Sequence, residues 1–132
     1  MIEFAPFQVK DLDTIVDISA QNPLILASGS QYRAELLARL RLPFVGIAPN
    51  LDESALPDEP VRAMTQRLAL AKARALVSQY PRRWVLGSDQ AACADGRILG
   101  KPGTVERATE QLSFLSGKAV EFLTAVALVR DE

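Results

Sequence analysis

Residues 24–37, LILASGSQYRAELL, constrain this chain more than any other stretch. Leu24, Ile25, Leu26 and Ala27 form a short apolar run of the kind a buried strand needs. Ser28, Gly29 and Ser30 then let the backbone turn sharply, and helix formers fill residues 31–40. A strand turning directly into a helix gathers unpaired backbone N–H groups and the positive end of the helix dipole at one point. That point suits an anion, and Arg33 in the first helical turn would add a planar fork of donors matched to phosphate oxygens. The same residues also read as an ordinary unit, with Ser30 as an N-cap and Arg33 as a solvated surface residue.

Composition narrows the chemistry. With 15 Lys and Arg against 16 Asp and Glu, the formal charge of −1 supplies no basic field for a nucleic-acid polymer. A single cysteine, Cys93, and no histidine exclude an internal disulfide, Cys/His zinc sites and histidine-based triads within these 132 residues. Acid–base work therefore falls to carboxylates, lysines or tyrosines. Neither a long apolar span nor a secretory leader pattern is visible, so the expectation is a cytoplasmic protein away from membranes.

The remaining chain reads as alternating strands and helices. Residues 1–23 are acidic and broken by Asn22-Pro23, and are expected to form an appendage to a domain over residues 24–132. Residues 44–48 suggest a second strand, and residues 49–60 a surface loop carrying Asp52, Glu53, Asp58 and Glu59, of which Asp52 and Glu53 are acids of a kind more often simply solvated. Val61, Met64, Leu68, Ala71 and Ala75 recur at spacings of three and four, predicting a helix to about Tyr80 with Lys72 near the edge of its buried stripe. A third strand over residues 84–87 would deliver Ser88, Asp89 and Gln90 to its carboxyl end, where open α/β sheets bind ligands. Asp95-Gly96 signals a hairpin. A helix from Thr104 presents Val105, Ala108, Leu112 and Leu115 on one face, and residues 119–129 read as a strand buried on both faces. The expected fold is α/β, a mixed sheet with flanking helices.

Three cations from separate elements, Arg33, Lys72 and Lys101, together with Glu53 and Asp89, suggest a site for a polyphosphate with Mg²⁺ or Mn²⁺. Neither GxxxxGK[ST] nor GxGxxG occurs. In order, LASGSQYRAELLARL, the pair Asp52-Glu53, RLALAKARAL, the tetrad Gly87-Ser88-Asp89-Gln90, LGKP at residues 99–102 and LSGKAVEFLTAVAL resemble the Maf family of nucleoside triphosphate pyrophosphatases. The tetrad, together with Tyr32 before Arg33, is similar to the subgroup that acts on 7-methyl-GTP, whereas the dTTP/UTP subgroup tends to carry threonine after the aspartate.

This resemblance implies a fold like that of inosine-triphosphate pyrophosphatases, with a cleft between two lobes. It implies Asp89 as proton acceptor and Tyr32 and Gln90 as determinants of the base. Ser28, Arg33, Glu53, Lys72 and Lys101 would line the phosphate and metal site, with Glu53 and Asp89 on the metal. Water activated by the metal would attack the α-phosphorus and release a monophosphate and pyrophosphate. Members of that family continue beyond the strand at residues 119–129, so the chain is expected to be the first two-thirds of a domain incomplete at its C-terminus. Its last strand is then expected to be exposed or re-paired, with self-association, as in a homodimer, or instability of the chain alone as the outcome. The alternatives to 7-methyl-GTP hydrolysis are the same chemistry on dTTP or UTP, or an inactive truncated domain that binds nucleotide or assembles with a partner.

Overall fold

The computed structural model describes residues 18–100 and 102–131. Five strands and three helices alternate: β1 (Leu24–Ala27), α1 (Gln31–Ala38), β2 (Phe44–Ile47), α2 (Val61–Val77), β3 (Trp84–Ala94), β4 (Arg97–Leu99), α3 (Val105–Leu115) and β5 (Glu121–Arg130). Lys101 and most of the expected appendage, residues 1–17, lie outside the described residues. At the appendage's end, Ile18 packs against Leu24, Leu26 and Leu37.

β1 pairs in parallel with β2 on one edge and β3 on the other, and β3 pairs antiparallel with both β4 and β5, giving the expected mixed sheet. Strand alternation divides the core between the two faces. Ile25, Ala27 and Val85 face Ala73 and Leu76 of α2, whereas Leu24 and Leu26 face Leu37 of α1. All four residues of β1 are buried, as a strand covered on both faces requires.

Two expectations need correction. β3 does not stop at Gly87: β5 pairs with it from Trp84↔Arg130 to Cys93↔Glu121, and this continuous ladder carries it through Ser88, Asp89 and Gln90 into the hairpin. β5 is not buried on both faces. α2 lies over one face, while α1 is eight residues long and leaves Phe122 and Val126 of β5 exposed on the other. The helix expected from Thr104 forms as α3; it contains no buried residue, and Val105 and Leu112 of its apolar face are exposed.

Candidate active site

Two periodicities meet at the centre of the molecule. Along β3, every second residue faces α2: Val85 packs on Ala73, Gly87 lies under Ala69 and Ala73, and Ala91 packs with Met64 and Leu68. Asp89 falls on the same face. On α2 the buried stripe runs through Met64, Thr65, Leu68, Ala69, Lys72, Ala73 and Leu76. Lys72 is thus in the middle of the stripe and not at its edge, because Ala69 and Ala73, not Ala71 and Ala75, are the small residues that sit on Gly87. The contact is close: a Cβ on Gly87 would lie 2.0 Å from the Ala69 carbonyl oxygen. This approach sets the Lys72 ammonium 2.9 Å from Oδ1 of Asp89.

Other elements converge on the same point. Glu53, from the loop after β2, places Oε1 2.8 Å from Lys72 Nζ. Lys72 Nζ also donates to the Ser88 carbonyl at 3.4 Å, and Nη1 of Arg33 donates to that same oxygen at 3.1 Å. Arg33 is held by the start of α1, where Ser30 Oγ accepts its backbone N–H at 3.3 Å, as the capping reading expects. Ser28 shapes the preceding turn by accepting the Ser30 N–H at 3.1 Å. The structure therefore brings Arg33, Glu53, Lys72 and Asp89 together just past the end of β1, where its parallel partner strand runs on.

Tyr32 and Gln90 are exposed, Tyr32 at 65%. Gln90 follows Asp89 in β3, so alternation turns it to the opposite face of the sheet. Because the strand continues, Asp89 and Gln90 are mid-strand residues paired with Ala125 and Thr124, not residues at a strand end.

Sequence reasoning missed the bracing of the Glu53 loop. The Glu59 side chain is 8% exposed and receives a two-pronged bond from Arg67 of α2, Nε to Oε2 at 2.7 Å and Nη2 to Oε1 at 2.8 Å. These bonds hold the Glu59 carboxyl below its ordinary pKa against the opposing effect of burial, and raise that of Arg67. Asp52 accepts from both the backbone N–H and the hydroxyl of Ser54, which lowers its pKa as well. Only an Asx-turn pattern at residues 52–54 hints at this in sequence.

Two carboxylates gathered on one ammonium form a hard-oxygen donor set that also fits a divalent cation, which commonly takes one or two carboxylates and completes its shell with water and phosphate oxygens. Among the described residues no cluster of three or more His, Cys, Asp or Glu could hold a metal unaided. A separate cavity of about 430 Å³ between β4 and α3, bordered by Arg97, Arg107 and Phe114, includes none of the four converging residues. No helix of the described residues is long and apolar enough to cross a membrane.

Comparison with known proteins matches residues 23–132 to the family model described as Maf-like protein. The chain is 56% identical over 108 residues to a 7-methyl-GTP pyrophosphatase of Pseudomonas savastanoi pv. phaseolicola, covering 82% of this chain and 56% of the relative. It is 55% identical over 108 residues to the protein of that name from Pseudomonas aeruginosa, with the same coverage. A third, from Xanthomonas campestris pv. campestris, is 55% identical over 106 residues, covering 80% of this chain and 55% of the relative. The chain thus spans little more than half the length of the curated relatives it matches.

Proposed function

The chain belongs to the Maf-like family, and from that premise we propose that it hydrolyses a nucleoside triphosphate, 7-methyl-GTP, to the monophosphate and pyrophosphate. The observation that carries this reading is the meeting of Lys72, Asp89, Glu53 and Arg33 around the Ser88 carbonyl. Relatives over 50% identical bear the name of that activity.

In this reading Arg33 and Lys72 bind the anionic phosphates and offset the charge that grows on the leaving pyrophosphate. Lys101 adds a third cation by family resemblance. Asp89 takes a proton from water as the water oxygen bonds to the α-phosphorus, and the bond to the bridging oxygen breaks with its electron pair going to pyrophosphate. Glu53 and Asp89 would hold Mg²⁺ or Mn²⁺, which supplies Lewis-acid neutralisation of phosphate charge when bound. Tyr32 offers an aromatic face to the positively charged ring of a 7-methylated guanine, and Gln90 a donor and an acceptor to its edge. The proposal includes a cytoplasmic setting, where nucleoside triphosphates are available.

The test is pyrophosphate release by the purified chain, with Mg²⁺ or Mn²⁺, from 7-methyl-GTP, GTP, dTTP and UTP. The expected result is preference for 7-methyl-GTP and a loss of roughly a hundredfold or more in Asp89→Asn. Preference for dTTP or UTP would reassign the base, and a fully active Asp89→Asn would overturn the site.

A further inference from the structure

We propose that Arg67 is the positioning residue for Glu53, bracing the loop that carries it so that its carboxylate is presented beside Asp89 to a divalent cation. This rests on the function proposed above. Arg67 makes no bond to the converging groups; its guanidinium grips the loop instead. Nε and Nη2 take both oxygens of Glu59, and Nη2 also donates to the Ser54 carbonyl at 3.0 Å. Glu59 Oε1 in turn accepts the Leu56 N–H at 3.1 Å. One planar fork thus ties residues 54, 56 and 59 to α2.

The bracing passes directly to Glu53. Ser54 donates from its backbone N–H to Asp52 Oδ1 at 2.9 Å and from its hydroxyl at 2.5 Å, so Glu53 sits between two residues fixed by side-chain bonds. Asp52 spends an oxygen on this turn, which leaves Glu53 as the member of the acidic pair that reaches Lys72. The Glu53 side chain is itself 56% exposed and is held at its tip by the ion pair to Lys72. One ion pair at the tip of a long, half-exposed side chain leaves considerable rotamer freedom to be lost, so its place near Asp89 also depends on the backbone beneath it. A lysine at position 67 could pair with Glu59 but lacks the rigid fork that reaches two carboxylate oxygens and a carbonyl together.

Direct Mn²⁺ binding, followed by the paramagnetic resonance of free Mn²⁺, tests this without reference to turnover. Glu53→Gln should weaken binding at least tenfold. Arg67→Ala should weaken it by about 10- to 100-fold, the usual range for residues that orient a metal ligand, with the far-UV circular dichroism unchanged. Arg67→Lys should fall in between. The direction is diagnostic, because loss of a positive charge acting only through the long-range field would tighten Mn²⁺ binding. The double variant Arg67→Ala/Glu53→Gln should bind no more weakly than Glu53→Gln alone, since Arg67 acts through Glu53. Wild-type binding by Arg67→Ala, or a further loss in the double variant, overturns the inference while leaving the metal reading intact. Wild-type binding by Glu53→Gln, or no binding by the unaltered chain, overturns the metal reading and the inference with it.

Discussion

Lys72 Nζ stands 2.9 Å from Asp89 Oδ1, and the two residues are only 7% and 8% exposed. Such a pair is a poor way to stabilise a core, because each charge has given up most of its water and the attraction only roughly repays that loss. Removing one partner is a different matter, since it strands the other. Lys72→Met is therefore expected to cost about 3–5 kcal/mol, read by urea unfolding. The double change Lys72→Met with Asp89→Leu should recover most of that stability and no pyrophosphate release. A double variant as unstable as the single one would show that the pair is structural.

The close seat of α2 on β3 depends on the missing side chain at position 87. With 2.0 Å available to a Cβ against the Ala69 carbonyl, Gly87→Ala must lift the helix. An overpacked core usually loses about 1–3 kcal/mol. The change should also pull Lys72 from Asp89, so turnover should fall further than the loss of stability explains. Pyrophosphate release well below the melting transition checks this, and an unchanged rate would mean that the spacing of helix and strand does not set the site.

Base recognition can be separated from phosphate binding. If Tyr32 holds a methylated guanine through its ring face, Tyr32→Ala should reduce kcat/KM for 7-methyl-GTP more than for GTP, by about twofold to thirtyfold for a contact of roughly 0.5–2 kcal/mol. Tyr32→Phe should retain the preference. Equal losses on both nucleotides would make Tyr32 a packing residue.

Acid should release the loop. The hydrogen bonds from Arg67 keep Glu59 ionised below its ordinary pKa, so the unfolded chain binds its proton first as pH falls. The stabilisation is complete above the ordinary glutamate value, about 4.3, and is lost as pH drops through the lower folded value. Asp52 shifts in the same direction through its bonds from Ser54. Thermal unfolding of the unaltered chain and Glu59→Gln between pH 3 and 7 should show the largest difference at neutral pH and convergence in acid. A gap that widened in acid would contradict the assignment.

Much of this arrangement is legible in the residues, and the exceptions have physical reasons. The turn from β1 into α1, its Ser30 cap and the placing of Arg33 follow from local chemistry alone. The stripe on α2 does not, because alanines at 69, 71, 73 and 75 are compatible with two adjacent faces, and only Gly87 on a distant strand selects between them. The apparent end of β3 at Gly87 was equally a tertiary matter: polar residues at 88–90 look like a loop until β5 is laid alongside. Arg67 and Glu59 lie on a helix and a loop whose relative placement no local pattern specifies. The apolar run at residues 119–129 signalled burial on both faces, yet Phe122 and Val126 of β5 are exposed.

The alternation of β3 at Asp89 and Gln90 gives these neighbours unequal freedom to change over evolution. Asp89 is enclosed under α2, where almost any replacement strands Lys72. Gln90 faces solvent across the sheet, where substitutions commonly shift stability by no more than about 0.5 kcal/mol. With Gln90 reading the base and Asp89 taking the proton, as proposed above, a lineage could retune its base preference at one position while the adjacent residue, one peptide bond away, stays fixed.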